Sequence, residues 1–204
     1  VEKKDKLFIS TSAVGIYDNK AKYDESGSFS NDFLSTLCQN WEKEAQKAKS
    51  ESTKVAIFRF GIVLGKNGGA FQKMITPFKL GLGGIIGSGK QHFSYIHIED
   101  LIEVYKFVIE NSLDGVFNCT APTPTTNYEF TKTLGRVLNR PTIFPIPEFV
   151  LKLIFSEGAK VLTDGQSVIP KRLLDLGFNF KYKNIDETLK NLAKWSKFYG
   201  LEEI

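Results

Sequence analysis

Cysteine, histidine and methionine are scarce in this 204-residue chain, with two, two and one copies respectively. Cys38 and Cys119 stand far apart, so the sequence carries neither a disulfide framework nor a CxxC metal motif. His92 and His97 have no cysteine or carboxylate at ligand spacing, and no metal site is expected. No apolar run approaches the ~18 residues of a membrane span, and Val1-Glu2-Lys3-Lys4-Asp5-Lys6 lacks the apolar core of a secretion signal. The cytoplasm is therefore the expected compartment, with no membrane partner. Charge of one sign is also in short supply: 27 basic against 23 acidic residues leave +4, with the lysines scattered. A nucleic-acid face needs basic residues clustered with aromatic or groove-entering elements, so no nucleic acid is expected. Internal repeats and low-complexity segments are missing too. The single methionine is Met74, and a strand-like run begins a few residues after Val1, so a fragment of a longer polypeptide is expected.

What is present is an ordinary globular balance, 42% apolar and 25% charged, enough for one domain or one domain with a small appendage. The most legible stretch runs from Gly87 to Leu101. A glycine-punctuated turn leads into the β-prone Phe93 to Ile98, and Glu99 or Asp100 is placed to cap an apolar helix that follows. Leu7-Phe8-Ile9 reads as a buried parallel strand ending in the hydroxyl cluster Ser10-Thr11-Ser12, and Lys54 to Phe60 and Gly115 to Cys119 read as two more strands. Between the first two, Ser30-Asn31-Asp32 starts a helix in which Phe33, Leu37, Trp41, Ala45 and Ala48 form a stripe expected to be core. A helix from Ala70 breaking near Pro77, a helix capped by Asn127, an apolar helix over Phe149 to Phe155, a short helix from Pro170 to Gly177 and a last helix over about Ile185 to Phe198 complete the reading.

In open α/β sheets, ligands bind at the carboxyl ends of the strands. Ser12 and Tyr17 follow such an end, where a hydroxyl can donate to a substrate oxygen and a phenol can act as acid, base or stacking surface; the same residues also suit a plain Ser/Thr turn. Glycines after Gly61 permit close backbone approach to a ligand or a flexible connection. Gly83-Gly84 precedes a strand instead of joining a strand to a helix, so it is no dinucleotide fingerprint. Cys38 reads as a small buried residue, and His97, inside an apolar run, as a local structural group.

The order of elements and a series of motifs identify the chain as similar to the extended short-chain dehydrogenases/reductases, and within them to the atypical, YfcH-like, NAD-dependent epimerase-like group. The motifs are Ser10-Thr11-Ser12-Ala13-Val14-Gly15-Ile16-Tyr17, Trp41-Glu42, Arg59-Phe60-Gly61-Ile62-Val63-Leu64, Gly68-Gly69-Ala70, Gly81-Leu82-Gly83-Gly84 and the stretch through Asp100. Ala121-Pro122, Leu134-Gly135-Arg136, Arg140-Pro141, Gly165 to Pro170 and Gly177-Phe178 continue them. The resemblance implies an α/β fold, the C-terminal half of a Rossmann-like doubly wound parallel sheet with a small mixed substrate-capping region. Residues 1–64 and 99–120 would form the former, 65–98 and 121–204 the latter. The family's opening strand, GxxGxxG turn and helix have no counterpart here, so NAD or NADP, expected of the complete protein, would be held weakly or not at all by this piece.

The resemblance also implies a site. Ser12 matches the family's serine, while Cys38 and Glu42 stand where a Tyr-x-x-x-Lys pair is usual; the atypical group lacks that pair as well. Ser12 and Tyr17 would then be catalytic, Ser10, Thr11, Arg59, Gly61 and Ile62 would line the nicotinamide end of the cofactor groove, and Gly68, Gly69, Phe71, Gln91, Ser94 and Tyr95 the substrate side. A nucleotide sugar or a small carbonyl compound is the implied substrate, and a homo-oligomer is compatible with the resemblance. The alternative it leaves open is a regulatory, cell-division-inhibitor-like protein that kept the scaffold and lost turnover.

Overall fold

The structure is a computed structural model that describes residues 6–66, 68–143, 145–146 and 165–194. In chain order its elements are β1 (Lys6–Ala13), a 3-10 turn (Val14–Ile16), β2 (Lys22–Tyr23), α1 (Phe33–Gln46), β3 (Thr53–Phe60), β4 (Ile62–Leu64) and α2 (Gly69–Lys79). They continue with β5 (Tyr95–His97), α3 (Ile98–Glu110), β6 (Gly115–Cys119), α4 (Asn127–Leu138), β7 (Ser167–Val168), α5 (Lys171–Asp175) and α6 (Ile185–Lys194).

Strands β1, β3 and β6 form one parallel sheet in that order. Because side chains alternate along a strand, its two faces are chemically distinct. Ala56, Phe58, Phe117 and Cys119 point to one side and meet Leu101, Val104 and Val108 of α3, with Leu7, Ile9 and Phe60 at the margin. Val55 and Ile57 point to the other side and meet Ala45 of α1. Helices on both faces of a parallel sheet are the doubly wound arrangement that the sequence implies. A second apolar core gathers α2, α4 and α6 around Phe71, Phe78, Phe93, Phe130, Leu134 and Leu189. Two small parallel pairs, β4 with β5 and β2 with β7, stitch that region to the sheet.

Several local expectations are corrected. The hydroxyl cluster does not follow β1 but lies within it, since Ser10, Thr11 and Ser12 pair in register with Ile57, Phe58 and Arg59. On α1 the inward residues are Ser35, Cys38 and Ala45, whereas Phe33 is 84% and Trp41 54% exposed. Small side chains let α1 lie close to the sheet, which turns the bulky stripe outward. Helix α3 begins at Ile98, and its cap is His97 and not Glu99 or Asp100. Thr126, one residue before Asn127, caps α4 through a reciprocal pair with Glu129. By contrast, α2 does break near Pro77, ending two residues after it at Lys79. The helix anticipated over Phe149 to Phe155, and the end of the last helix beyond Lys194, lie outside the described residues.

Candidate functional site

The carboxyl ends of β1, β3 and β6 bring Ser12, Arg59 and Asn118 side by side on the face covered by α1, through the register Ser12↔Arg59 and Arg59↔Asn118. Arg59 is a buried cation and needs a partner. Glu42, reaching down from α1, supplies a fork: Arg59 Nε donates to Oε1 at 2.8 Å and Nη2 to Oε2 at 2.7 Å. Nη1 donates to the Tyr17 hydroxyl at 2.6 Å, and that hydroxyl donates to Asn118 Oδ1 at 2.9 Å. The guanidinium also lies over the rings of Tyr17 and Phe29. Glu25 closes the arrangement, accepting from the backbone N–H of Asn118 at 3.0 Å and of Arg172 at 3.1 Å.

Tyr17 is fully enclosed, and both sides of its hydroxyl are taken. Burial pushes its pKa up, against the pull of the Arg59 charge and hydrogen bonds. A phenol in that state orders the loop after β1; it does not reach an open crevice. Ser12 differs. Its Oγ is shielded from solvent and meets no partner of ordinary hydrogen-bond geometry among the described residues, only the weakly bonding Cys38 thiol. Cys38 stands beside it, its thiol pKa raised by burial while the Ser12 hydroxyl and Ala13 amide pull the other way. A buried, unpaired hydroxyl costs about 1–3 kcal/mol, which makes Ser12 the position in the sheet where an outside acceptor or donor would be repaid.

Of the remaining expected residues, Ser10 is half-buried and Thr11 exposed, on opposite faces of β1. Gly61 is a packing glycine: a Cβ there would stand 2.8 Å from the Ser94 carbonyl oxygen, and Ile62 N–H bonds that same oxygen at 2.9 Å. Gly68 and Gly69 start α2 with open space around them, and Gly69 has φ +69°. Phe71 and Tyr95 belong to the core between α2, α4 and α6, and burial lifts the Tyr95 phenol far above its ordinary range. Ser94 Oγ donates to the Gln166 carbonyl at 2.7 Å and accepts from Val168 N–H at 3.1 Å, fastening β7; Gln91 Nε2 donates to the Ile86 carbonyl at 3.0 Å. The structure thus unites Ser12, Tyr17 and Arg59 and gives the others packing or fastening contacts. Asn118 and Glu25 escaped the sequence reading. Asn118 was open to detection as the one polar side chain inside an apolar strand; Glu25 sits in a loop with no periodicity to mark it.

Among the described residues no group of three or more His, Cys, Asp or Glu side chains could hold a metal ion, and no helix is long and apolar enough to cross a membrane.

A parallel sheet with helices on both faces defines a protein of the doubly wound, Rossmann-like α/β class. Similarity narrows this. A crystal structure of human epimerase family protein SDR39U1 with NADPH matches with TM-score 0.88 and 38% identity over 95% of this chain and 67% of that one. The chloroplastic SDR39U1 homolog of Arabidopsis thaliana is 42% identical over 196 residues, covering 95% of this chain and 56% of the relative. Epimerase family protein YfhF of Bacillus subtilis is 37% identical, covering 94% and 64%. Residues 146–192 match a domain of unknown function, DUF1731. The chain belongs to this epimerase family of atypical short-chain dehydrogenases/reductases, and it spans little more than half to two thirds of the length of these relatives.

Proposed function

We propose that the chain is the C-terminal, YfcH-like portion of a nicotinamide-dependent epimerase or oxidoreductase acting on a nucleotide sugar or a small carbonyl compound. The observation that carries the reading is the unpaired, buried Ser12 hydroxyl at the carboxyl end of β1. The NADPH in the human relative supports a nicotinamide cofactor. The residues present suit the reacting end of such a cofactor, because Ser12 offers an unused hydrogen bond there. They offer no grip for its phosphates: among the described residues no glycine turn links a strand of the large sheet directly to a helix N-terminus. Residues 1–64 and 99–120 would complete the cofactor domain with a segment paired along the free side of β1, and 65–98 with 121–204 would cap the substrate. When bound, the nicotinamide supplies hydride exchange. Ser12 holds the reacting oxygen, and Arg59, Glu42, Tyr17 and Asn118 fix the loop that closes beside it.

A second reading, a regulatory protein without turnover, is favoured by one observation. Glu42 fills the position of the usual lysine and is consumed by Arg59, leaving α1 without a proton-donating pair. Titration of the complete polypeptide with NADPH, followed by a screen of nucleotide sugars and carbonyl compounds for a change in nicotinamide absorbance, tests both. Turnover that falls about 100-fold in Ser12→Ala with NADPH affinity unchanged supports the first reading. Failure to bind nicotinamide overturns the first reading, and binding without turnover, or no binding at all, transfers support to the second.

A further inference from the structure

Helix α2 ends in a fixed turn that holds two leucines out of the fold. Its inner face, Phe71, Met74, Ile75 and Phe78, is packed in the core shared with α4 and α6. At its carboxyl end Gly81 takes φ +74° and donates its N–H to the Phe78 carbonyl at 3.0 Å, while the Leu82 N–H reaches back to the Pro77 carbonyl at 2.8 Å. These are the two bonds of a Schellman motif, in which the side chain after the glycine frequently folds back on the last turn. Here it does not: Leu80 is 70% and Leu82 69% exposed. Ile146 runs parallel beside Ile86 and donates its N–H to the Ile85 carbonyl at 2.8 Å, which brings Ile143, 76% exposed, toward the level of Gly83. Large aliphatic side chains gathered in water at one edge mark a contact surface.

The charge around them has one sign. From Ser52 to Ile98 the chain carries Lys54, Arg59, Lys66, Lys73, Lys79 and Lys90 and no Asp or Glu. Lys73, exposed, precedes Leu80 by seven residues and so shares its outward stripe on α2, and Lys79 adjoins Leu80. Across the edge, Lys132 of α4 donates to the Thr142 carbonyl at 3.0 Å, beside Ile143, and Arg140 is exposed. The nearby carboxylates are already engaged: Glu129 accepts the Thr126 N–H at 2.7 Å, and Asp186 pairs with Arg136 and Lys190.

We propose that this edge docks on an anionic phospholipid surface, with Leu80, Leu82 and Ile143 entering the acyl boundary and Lys73, Lys79 and Arg140 meeting the headgroup phosphates. Size favours lipid over protein. A stable protein interface engages about 20–30 residues a side around aromatic and arginine anchors. Lipids instead close around a wedge of a few aliphatic side chains, and lysine stems reach from it up to the phosphates. Each lysine near such a surface multiplies affinity about fivefold. No helix among the described residues is long and apolar enough to cross a membrane, so the contact is peripheral; the expectation of no membrane partner rested on that missing span.

The test is flotation of the full chain with phosphatidylcholine vesicles, with and without phosphatidylserine, which separates bound from aggregated protein. Wild type floats with the anionic vesicles, and binding falls about tenfold or more without phosphatidylserine, at high salt, in Leu80→Ser with Leu82→Ser, and in Lys73→Gln with Lys79→Gln. Equal flotation on both vesicles, or a leucine variant that floats like wild type, overturns the proposal. Self-association without lipid that the leucine substitutions abolish assigns the edge to a second copy and also overturns it. If the leucine variant loses its circular dichroism, hydrogen exchange of wild type decides. Protection gained on anionic vesicles by amides 78–86 supports docking, and protection gained only elsewhere refutes it.

Discussion

The two faces of the β1-β3-β6 sheet are built from the same strands and alternate residue by residue, yet they solve different problems. Facing α3, Phe58, Phe117 and Tyr105 meet edge to face, with Phe58 4.7 Å from Tyr105 and 5.8 Å from Phe117 between centroids. Facing α1, the positions one residue along hold Arg59 and Asn118, tied to Glu42, Tyr17 and Glu25. The apolar face gains by removing area from water and tolerates exchange of similar shapes. The polar face gains little net energy but admits one arrangement, since any missing member leaves a buried charge or hydroxyl unmet. Stability and specificity are therefore separated by a rotation of one residue along the strand.

That contrast can be broken or sharpened by substitution. The largest effect is expected from Phe58→Ala, a wholly buried ring, at about 3–5 kcal/mol of unfolding free energy by chemical denaturation. The polar side chains opposite should keep their native arrangement in any crystal of that variant that folds. Next comes Arg59→Met, which strands the Glu42 carboxylate and should cost about 3 kcal/mol. Adding Glu42→Met should return most of it, and a double variant no better than the single would refute the ion pair as the cause. Tyr17→Phe removes one hydroxyl from between Arg59 and Asn118 and should cost about 1–2 kcal/mol. If the phenol only orders the loop, NADPH affinity of the complete polypeptide stays unchanged in Y17F. The smallest effect, about 1 kcal/mol, is expected for Asp32→Ala, since Asp32 Oδ1 accepts the Ser35 N–H at 2.9 Å and starts α1.

The fold was legible where pattern and chemistry agreed. Thr53–Phe60 and Gly115–Cys119 are rich in β-branched and aromatic residues, and such runs mark strands buried on both faces. Leu7-Phe8-Ile9 and the hydroxyl cluster behind it belong to one strand, because pairing with β3 overrides the turn preference of serine and threonine. The α1 stripe misled because periodicity reports a helix face but not which neighbour it meets; close packing chose the small residues. At the site, Ser12 was readable from its place at a strand end, whereas Arg59 was named only through the family resemblance, as a groove residue, and its pairing with Glu42 was not foreseen. Asn118 stood out as a polar side chain in an apolar strand, but its meeting with Glu25 and Glu42 did not, since the three converge from separate segments and no spacing in sequence encodes that.

One flank of β1 has consequences for anyone handling the protein. Within the described residues its ladder runs along β3 alone, and Phe8, on the α1 side, is 42% exposed. Eight residues of extended backbone with spare amides and carbonyls are a template for adventitious strand addition. Purified alone, this polypeptide should scatter light at rising concentration, and a lysine at Phe8 should clear the solution.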